Sequence, residues 1–212
     1  MNKIIIKISK EQNKMKKWIL QRHHLLVVIA AFLLSTQANV KAATVILPRP
    51  IPLSAETIIH LKPVHTSETN HWKLVVFGFT HCKDICPISL ANLSMLVHAA
   101  ADEKINIDGI FVTVDPDRDT DSVLSNYTKN FGSNISYLRF EGEKLERFKT
   151  VFGVEAIFYT KNVGNQTNYQ VDHSTSAFLI DPDGRIRVMF DAIKDAASIA
   201  RMFNERKDLF RL

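Results

Sequence analysis

The chain has 212 residues, 46% of them hydrophobic, with two cysteines and a formal charge of +5. Eight of the 27 Lys/Arg but only one of the 22 Asp/Glu fall in residues 1–42, which leaves 19 basic against 21 acidic groups in the other 170 residues. Basicity therefore belongs to the amino-terminal segment, nucleic acid is excluded as a partner of the remainder, and 170 residues suit one domain with a good-sized core.

Residues 1–24 are basic, 25–34 are a ten-residue apolar run, and Val40-Lys41-Ala42 offers small residues at the −3 and −1 positions of a cleavage site. This is the pattern of a signal peptide or short membrane anchor, since ten apolar residues are too few to cross a hydrocarbon layer of ~30 Å comfortably. Export to the bacterial periplasm, or to the periplasmic face of the inner membrane, follows as the expected location. Any thiol pair without a metal would tend to oxidise there. Residues 43–70 form a second segment, in which alternating Pro48, Pro50 and Pro52 predict a semi-rigid tether. A short strand is expected at Ile58–Leu61, and His60, His65 and His71 receive no role.

The domain proper is expected over residues 71–212. Leu74-Val75-Val76-Phe77 is a short, wholly apolar run, read as a parallel strand covered on both faces. The turn Gly78-Phe79-Thr80-His81-Cys82-Lys83-Asp84-Ile85-Cys86 then holds both cysteines. Apolar residues at Leu90, Leu93, Leu96, Val97 and Ala100 mark an amphipathic helix, with Pro87 suited to its first position. That spacing puts Cys86 at or beside the N-cap and Cys82 in the turn just before it, where the helix dipole and Lys83 favour thiolate. Such a pair can staple the fold, close reversibly into a disulfide or hold one soft metal ion. The exposed end of a buried strand suits chemistry better than stapling.

Ile110-Phe111-Val112-Thr113-Val114 is a second strand, parallel to the first. Asp115, Asp117, Asp119 and Asp121 follow, but the calcium-loop template fails because its sixth position is Thr120 and its twelfth Asn126. A helix capped by Asp119 or Thr120 is the better reading. A weak strand is expected at 136–140, a helix over Leu145–Phe152 closed by Gly153, and a loop or hairpin between Tyr159 and Tyr169. Ser176–Ile180 and Arg185–Phe190 read as a hairpin across Pro182-Asp183-Gly184, and Ala196, Ile199, Ala200 and Phe203 mark a final helix. The fold class is α/β, thioredoxin-like, with a central mixed sheet flanked by helices.

In that layout the loop carrying His173 passes opposite the cysteine turn. Two sulfurs and one imidazole suit Cu(I) and, with an added ligand, Cu(II), whereas structural zinc calls for four ligands. The candidate metal site is Cys82, Cys86 and His173. Asp84, Asp119 and Asp172 are the candidate supporting carboxylates.

Three stretches carry a family resemblance: Phe77-Gly-Phe-Thr-His-Cys82-Lys-Asp-Ile-Cys86-Pro87, Val114-Asp-Pro-Asp-Arg-Asp119-Thr120, and Val171-Asp-His173-Ser174 with Phe178-Leu-Ile-Asp-Pro-Asp-Gly184. Together, over roughly residues 73–205, they resemble the Sco/SenC family of thioredoxin-fold copper chaperones for cytochrome c oxidase assembly. The resemblance implies copper bound by Cys82, Cys86 and His173. It also implies delivery to the oxidase's dinuclear copper site, or keeping that site's cysteines reduced; the copper-accepting oxidase subunit, another copper chaperone and a thioredoxin-like reductant are the candidate partners. Lys83 departs from the Pro common at its position, and the segment before Trp72 lacks the family's Gly-containing hairpin. The competing reading is an exported thiol–disulfide reductase in which Cys82 attacks and Cys86 resolves. A peroxidase would need a lone activated thiol with its own transition-state donors, and neither is apparent.

Overall fold

The computed structural model describes residues 44–61, 70–83, 85–160 and 168–211. Residues 1–42, where an export signal is expected, His65, Asp84 and residues 161–167 of the loop before Tyr169 lie outside the described residues.

Seven residues from Trp72 to Gly78 form β2, the strand on which the domain is built. Its side chains alternate between two cores: Trp72, Leu74 and Val76 face one, Val75 and Phe77 the other. Strand β3, Ile107–Thr113, lies parallel to it in register Leu74↔Gly109, and β4, Ile135–Leu138, lies parallel to β3. On the other side β7, Ala177–Ile180, and β8, Arg185–Phe190, form the expected antiparallel hairpin. With β1, Thr44–Pro52, at one edge, the six-stranded order is β1-β8-β7-β2-β3-β4, a mixed sheet.

Strand β1 is Thr44–Pro52, and it corrects the tether reading. The prolines do keep the chain extended, yet it pairs antiparallel with β8 as an edge strand, Ile46 opposite Val188 and Ile51 opposite Ile186, with a register shift between. Proline is tolerated there because one side of an edge strand has no ladder to donate to. The short strand expected at 58–61 is instead the end of α1, Ala55–His60, which Ser54 caps by accepting the Thr57 N–H at 3.2 Å.

Helices cover both faces. One core packs Leu90, Leu93 and Leu96 of α2, Ile85–Asp102, with Ile199 and Phe203 of α5, Ala196–Glu205. The other packs Phe148 and Phe152 of α4, Gly142–Phe152, on Phe77 and Phe178, with ring centroids 5.0–6.3 Å apart. Gly153 ends α4 at φ 61°, as its residue type predicts. Helix α3, Asp121–Lys129, is capped by Thr120. Strands β5, Ala156–Tyr159, and β6, Gln170–His173, make a separate two-stranded ribbon outside the main sheet.

Candidate metal centre

The two cysteines follow β2 at the end where β3 also stops. Gly78 lies directly beneath them: a Cβ there would come within 2.9 Å of the Cys86 sulfur and 2.8 Å of the Phe111 ring. Helix α2 starts at Ile85, so Cys86 lies beside the cap, inside the first turn. Its N–H points at the Cys82 sulfur, 3.4 Å away, so the unsatisfied donor of the helix start is directed at Cys82. Both cysteines are thiols; Cys86 is 2% exposed and Cys82 half-buried.

Burial pushes the Cys86 thiol far above the ordinary cysteine value. Cys82 and Asp119 add to this, and a backbone hydrogen bond at Phe79 opposes it. The expected helix-dipole preference for thiolate therefore loses to desolvation at Cys86. A bound cation reverses that balance, since a coordinating thiol is deprotonated.

His173 ends β6 and reaches the cysteines. Its Nε2 is 3.6 Å from the Cys86 sulfur. Its Nδ1 is 2.8 Å from the Ser174 carbonyl oxygen. A carbonyl only accepts, so Nδ1 carries the proton and the Nε2 lone pair faces sulfur. Burial holds the His173 pKa below its usual value, against the Ser174 carbonyl and Asp172, so the ring is a neutral donor at neutral pH. Metal–sulfur and metal–nitrogen lengths of about 2.3 and 2.05 Å with a 3.6 Å separation give an angle of about 110° at the ion. Cys86 and His173 thus fit one shared ion. Among the described residues no three His, Cys, Asp or Glu side chains already converge as a closed metal site.

The three supporting carboxylates fare differently. Asp119, fully buried, accepts Thr80 N–H at 3.0 Å, Thr80 O–H at 2.5 Å and Thr113 O–H at 2.6 Å, which ties the cysteine turn to the end of β3. His81 is half-exposed beside it, its Nδ1 3.8 Å from the carboxylate. Asp172 is exposed opposite Ile157, and the group that orients the imidazole is the Ser174 carbonyl. Asp84 lies outside the described residues. Of the unassigned histidines, His60 packs edge-on to Phe140, and His71 reaches Asp108 at 3.0 Å.

Sequence reasoning passed over Ser174, Phe79, Arg118 and Tyr169. Phe79 meets the His173 ring edge-on at 5.8 Å. Arg118 donates to Asp115 at 2.5 Å and to the Tyr169 carbonyl at 3.0 Å, and the Tyr169 hydroxyl donates to Asp115. The acids of 115–121 signal a cap in sequence, yet two of them, Asp115 and Asp119, are fully buried.

The model of the SCO1/SenC family matches residues 64–207. A SCO2-like protein of Rickettsia prowazekii is 37% identical over 135 residues, covering 63% of this chain and 64% of the relative. The chain spans between half and two thirds of the length of the curated relatives it matches first. Yeast Sco1, solved with copper bound, superposes with a TM-score of 0.59 at 27% identity over 65% of this chain and 76% of that one. ScoI of Bradyrhizobium japonicum, also solved with copper bound, gives 0.52 at 29% identity over 63% and 85%.

Proposed function

This chain belongs to the SCO1/SenC family, and on that premise we propose that it is a copper chaperone that takes up Cu(I) or Cu(II) through Cys82, Cys86 and His173. The observation that carries this reading is the imidazole lone pair held 3.6 Å from the Cys86 sulfur by the Ser174 carbonyl. The likeness to two solved proteins that hold copper supports the choice of ion. Copper is cargo here, passed on to a copper-accepting subunit of cytochrome c oxidase or exchanged with another chaperone. Export of the chain by residues 1–42, with the domain working on the periplasmic side of the membrane, completes the reading.

The protein's own residues set the steps. Cys82, the more accessible sulfur, meets the incoming ion first. Cys86 gives up its proton as the ion enters, and His173 closes the third position without losing one, since Nε2 is already bare. Release runs in reverse as an acceptor's ligands displace the imidazole and then the sulfurs.

The second reading is a thiol–disulfide reductase, and the split between a half-buried Cys82 and a buried Cys86 favours it. Cys82 thiolate, held by the helix N–H, would attack a partner disulfide and expel one partner thiolate. Cys86 would then break the mixed disulfide, leaving the partner with two thiols and this chain with the Cys82–Cys86 bond. A thioredoxin-like reductant would restore the dithiol. The two activities exclude each other at any instant.

Competitive Cu(I) titration of the reduced full-length chain beside Cys82→Ser, Cys86→Ser and His173→Ala tests the choice. Copper delivery predicts a loss of about tenfold or more in affinity for His173→Ala, with reduction of a model disulfide nearly unchanged. Unchanged Cu(I) affinity in that variant removes the main support for delivery.

A further inference from the structure

The ribbon that carries His173 belongs to neither the main sheet nor a helix. Its strands pair with each other, Ala156 opposite His173 and Tyr159 opposite Gln170, and with no strand of the six. A two-stranded ribbon is marginal by itself. Something outside its own ladder must therefore hold His173 over Cys86. Ala156 and Val171 contribute by packing half-buried on the core beneath. Among the described residues its polar hold centres on the Arg118 guanidinium, joined by the Tyr169 hydroxyl on Asp115.

The geometry points to Arg118 as the positioning residue of this site, a latch that fixes the His173 ribbon against the cysteine turn. Its side chain is 9% exposed and joins three separate segments. Nε donates to Asp115 at the end of β3. Nη1 donates to the carbonyl of Tyr169, the residue before β6. The guanidinium plane lies over the Tyr169 ring at 3.7 Å and reaches the Phe79 ring at 5.6 Å. Tyr169 closes the loop by donating its hydroxyl to the other Asp115 oxygen. Phe79, far from His173 in sequence but edge-on to its ring in space, is itself part of the cysteine turn. One planar fork thus ties ribbon, cysteine turn and β3 together, and only arginine offers that fork with a stacking face.

The inference deepens the copper reading and rests on it for its consequence, but the latch has a test that needs no metal. Cys86 is buried with His173 beside it, so release of the ribbon exposes its sulfur. Trypsin cuts after Lys83, which places the two cysteines in separate peptides. Full-length protein in mild detergent, reduced and metal-free, is alkylated with iodoacetamide, and Cys86 modification is followed by mass. Arg118→Lys keeps a charge for buried Asp115, and the fold is checked by circular dichroism. The variant is expected to alkylate at Cys86 about tenfold to a hundredfold faster, the equivalent of losing a charge-assisted hydrogen bond. Tyr169→Phe, which keeps the stacked ring, is expected to show a smaller rise. Cys86 protection unchanged in a folded Arg118→Lys protein overturns the latch, whatever copper does.

A Cu(I) competition cycle then separates positioning from general support. Acting through His173, Arg118→Lys loses affinity when made alone but none when His173→Ala is already present. Equal losses in both backgrounds overturn the positioning role. If Cys86 protection falls as expected while His173→Ala itself leaves Cu(I) affinity intact, the latch stands and the copper reading fails.

Discussion

Gly78→Ala is a sharp probe of how the cysteine turn is packed. The added carbon would sit 2.9 Å from the Cys86 sulfur and 2.8 Å from Phe111 Cε2, against contact distances of about 3.5–4.0 Å. Phe111 is fixed in the centre of β3 and 1% exposed, so it has little room to yield. The sulfur must then retreat by about 0.6–1 Å, or β2 must shift. Overpacking of this kind costs about 2 kcal/mol, which lowers Tm by about 4–8 °C in a domain of this size. A displacement of that size exceeds the ~0.2 Å tolerance of a metal–ligand distance, so Cu(I) affinity should fall by about tenfold or more. Thermal unfolding of the apo protein and competitive Cu(I) titration read the two effects separately. An alanine variant with wild-type Tm and affinity refutes the close packing of Gly78 under Cys86. A loss of Tm with no loss of affinity refutes the coupling of that packing to the ion.

Asp119→Asn should cost about 2–4 kcal/mol by urea unfolding, because one of its two buried acceptor oxygens becomes a donor facing Thr80 or Thr113; an unchanged midpoint would contradict the network. At the β7–β8 turn, Gly184→Ala meets both φ +80° and the Ile58 side chain lying where the new Cβ would go, with an expected cost of about 1–3 kcal/mol. Adding Ile58→Ala should recover the steric part of that cost and leave the backbone part. Ile46→Ala should lose about 1 kcal/mol in thermal unfolding, since Ile46 packs half-buried on the core, whereas a free tether would lose nothing.

The parts of the fold that were legible are those in which one local pattern decides the outcome. A run such as Leu74–Phe77 has no polar face, so it must be covered on both sides, and it is. Pro182-Asp183-Gly184 permits few backbone paths, and Gly184 at φ +80° takes one of them. Strand β1 escaped because its identity lies in a partner more than 130 residues away, and its prolines describe an extended chain whether or not β8 is beside it. The misread α1 shows local signals in conflict: Ile58 and Ile59 favour a strand, while Ser54, through the hydrogen bond to Thr57 N–H, starts a helix. The approach of His173 to Cys86, 3.6 Å from Nε2 to sulfur, was legible from spacing and topology. The state of Cys86 was not, because the helix-start argument gives the sign of the dipole effect and burial gives its competitor, and burial cannot be read from a turn sequence.

The site combines supports of unequal stiffness, and under the copper reading that inequality determines the order of ligand exchange. Both sulfurs follow directly from β2, which has a strand on each side, and the turn bearing them is pinned through Thr80 to Asp119. The imidazole sits on a ribbon outside that sheet, attached through Arg118 and a few half-buried side chains. An incoming acceptor therefore displaces His173 first and meets an ion still held by two sulfurs, so the cargo is never left without ligands during transfer. Changes that loosen the ribbon should thus speed copper release more than they slow uptake, whereas changes in the turn should weaken both. Stopped-flow transfer to a chelator separates the two: a ribbon variant that slows uptake while leaving release untouched would reverse this order.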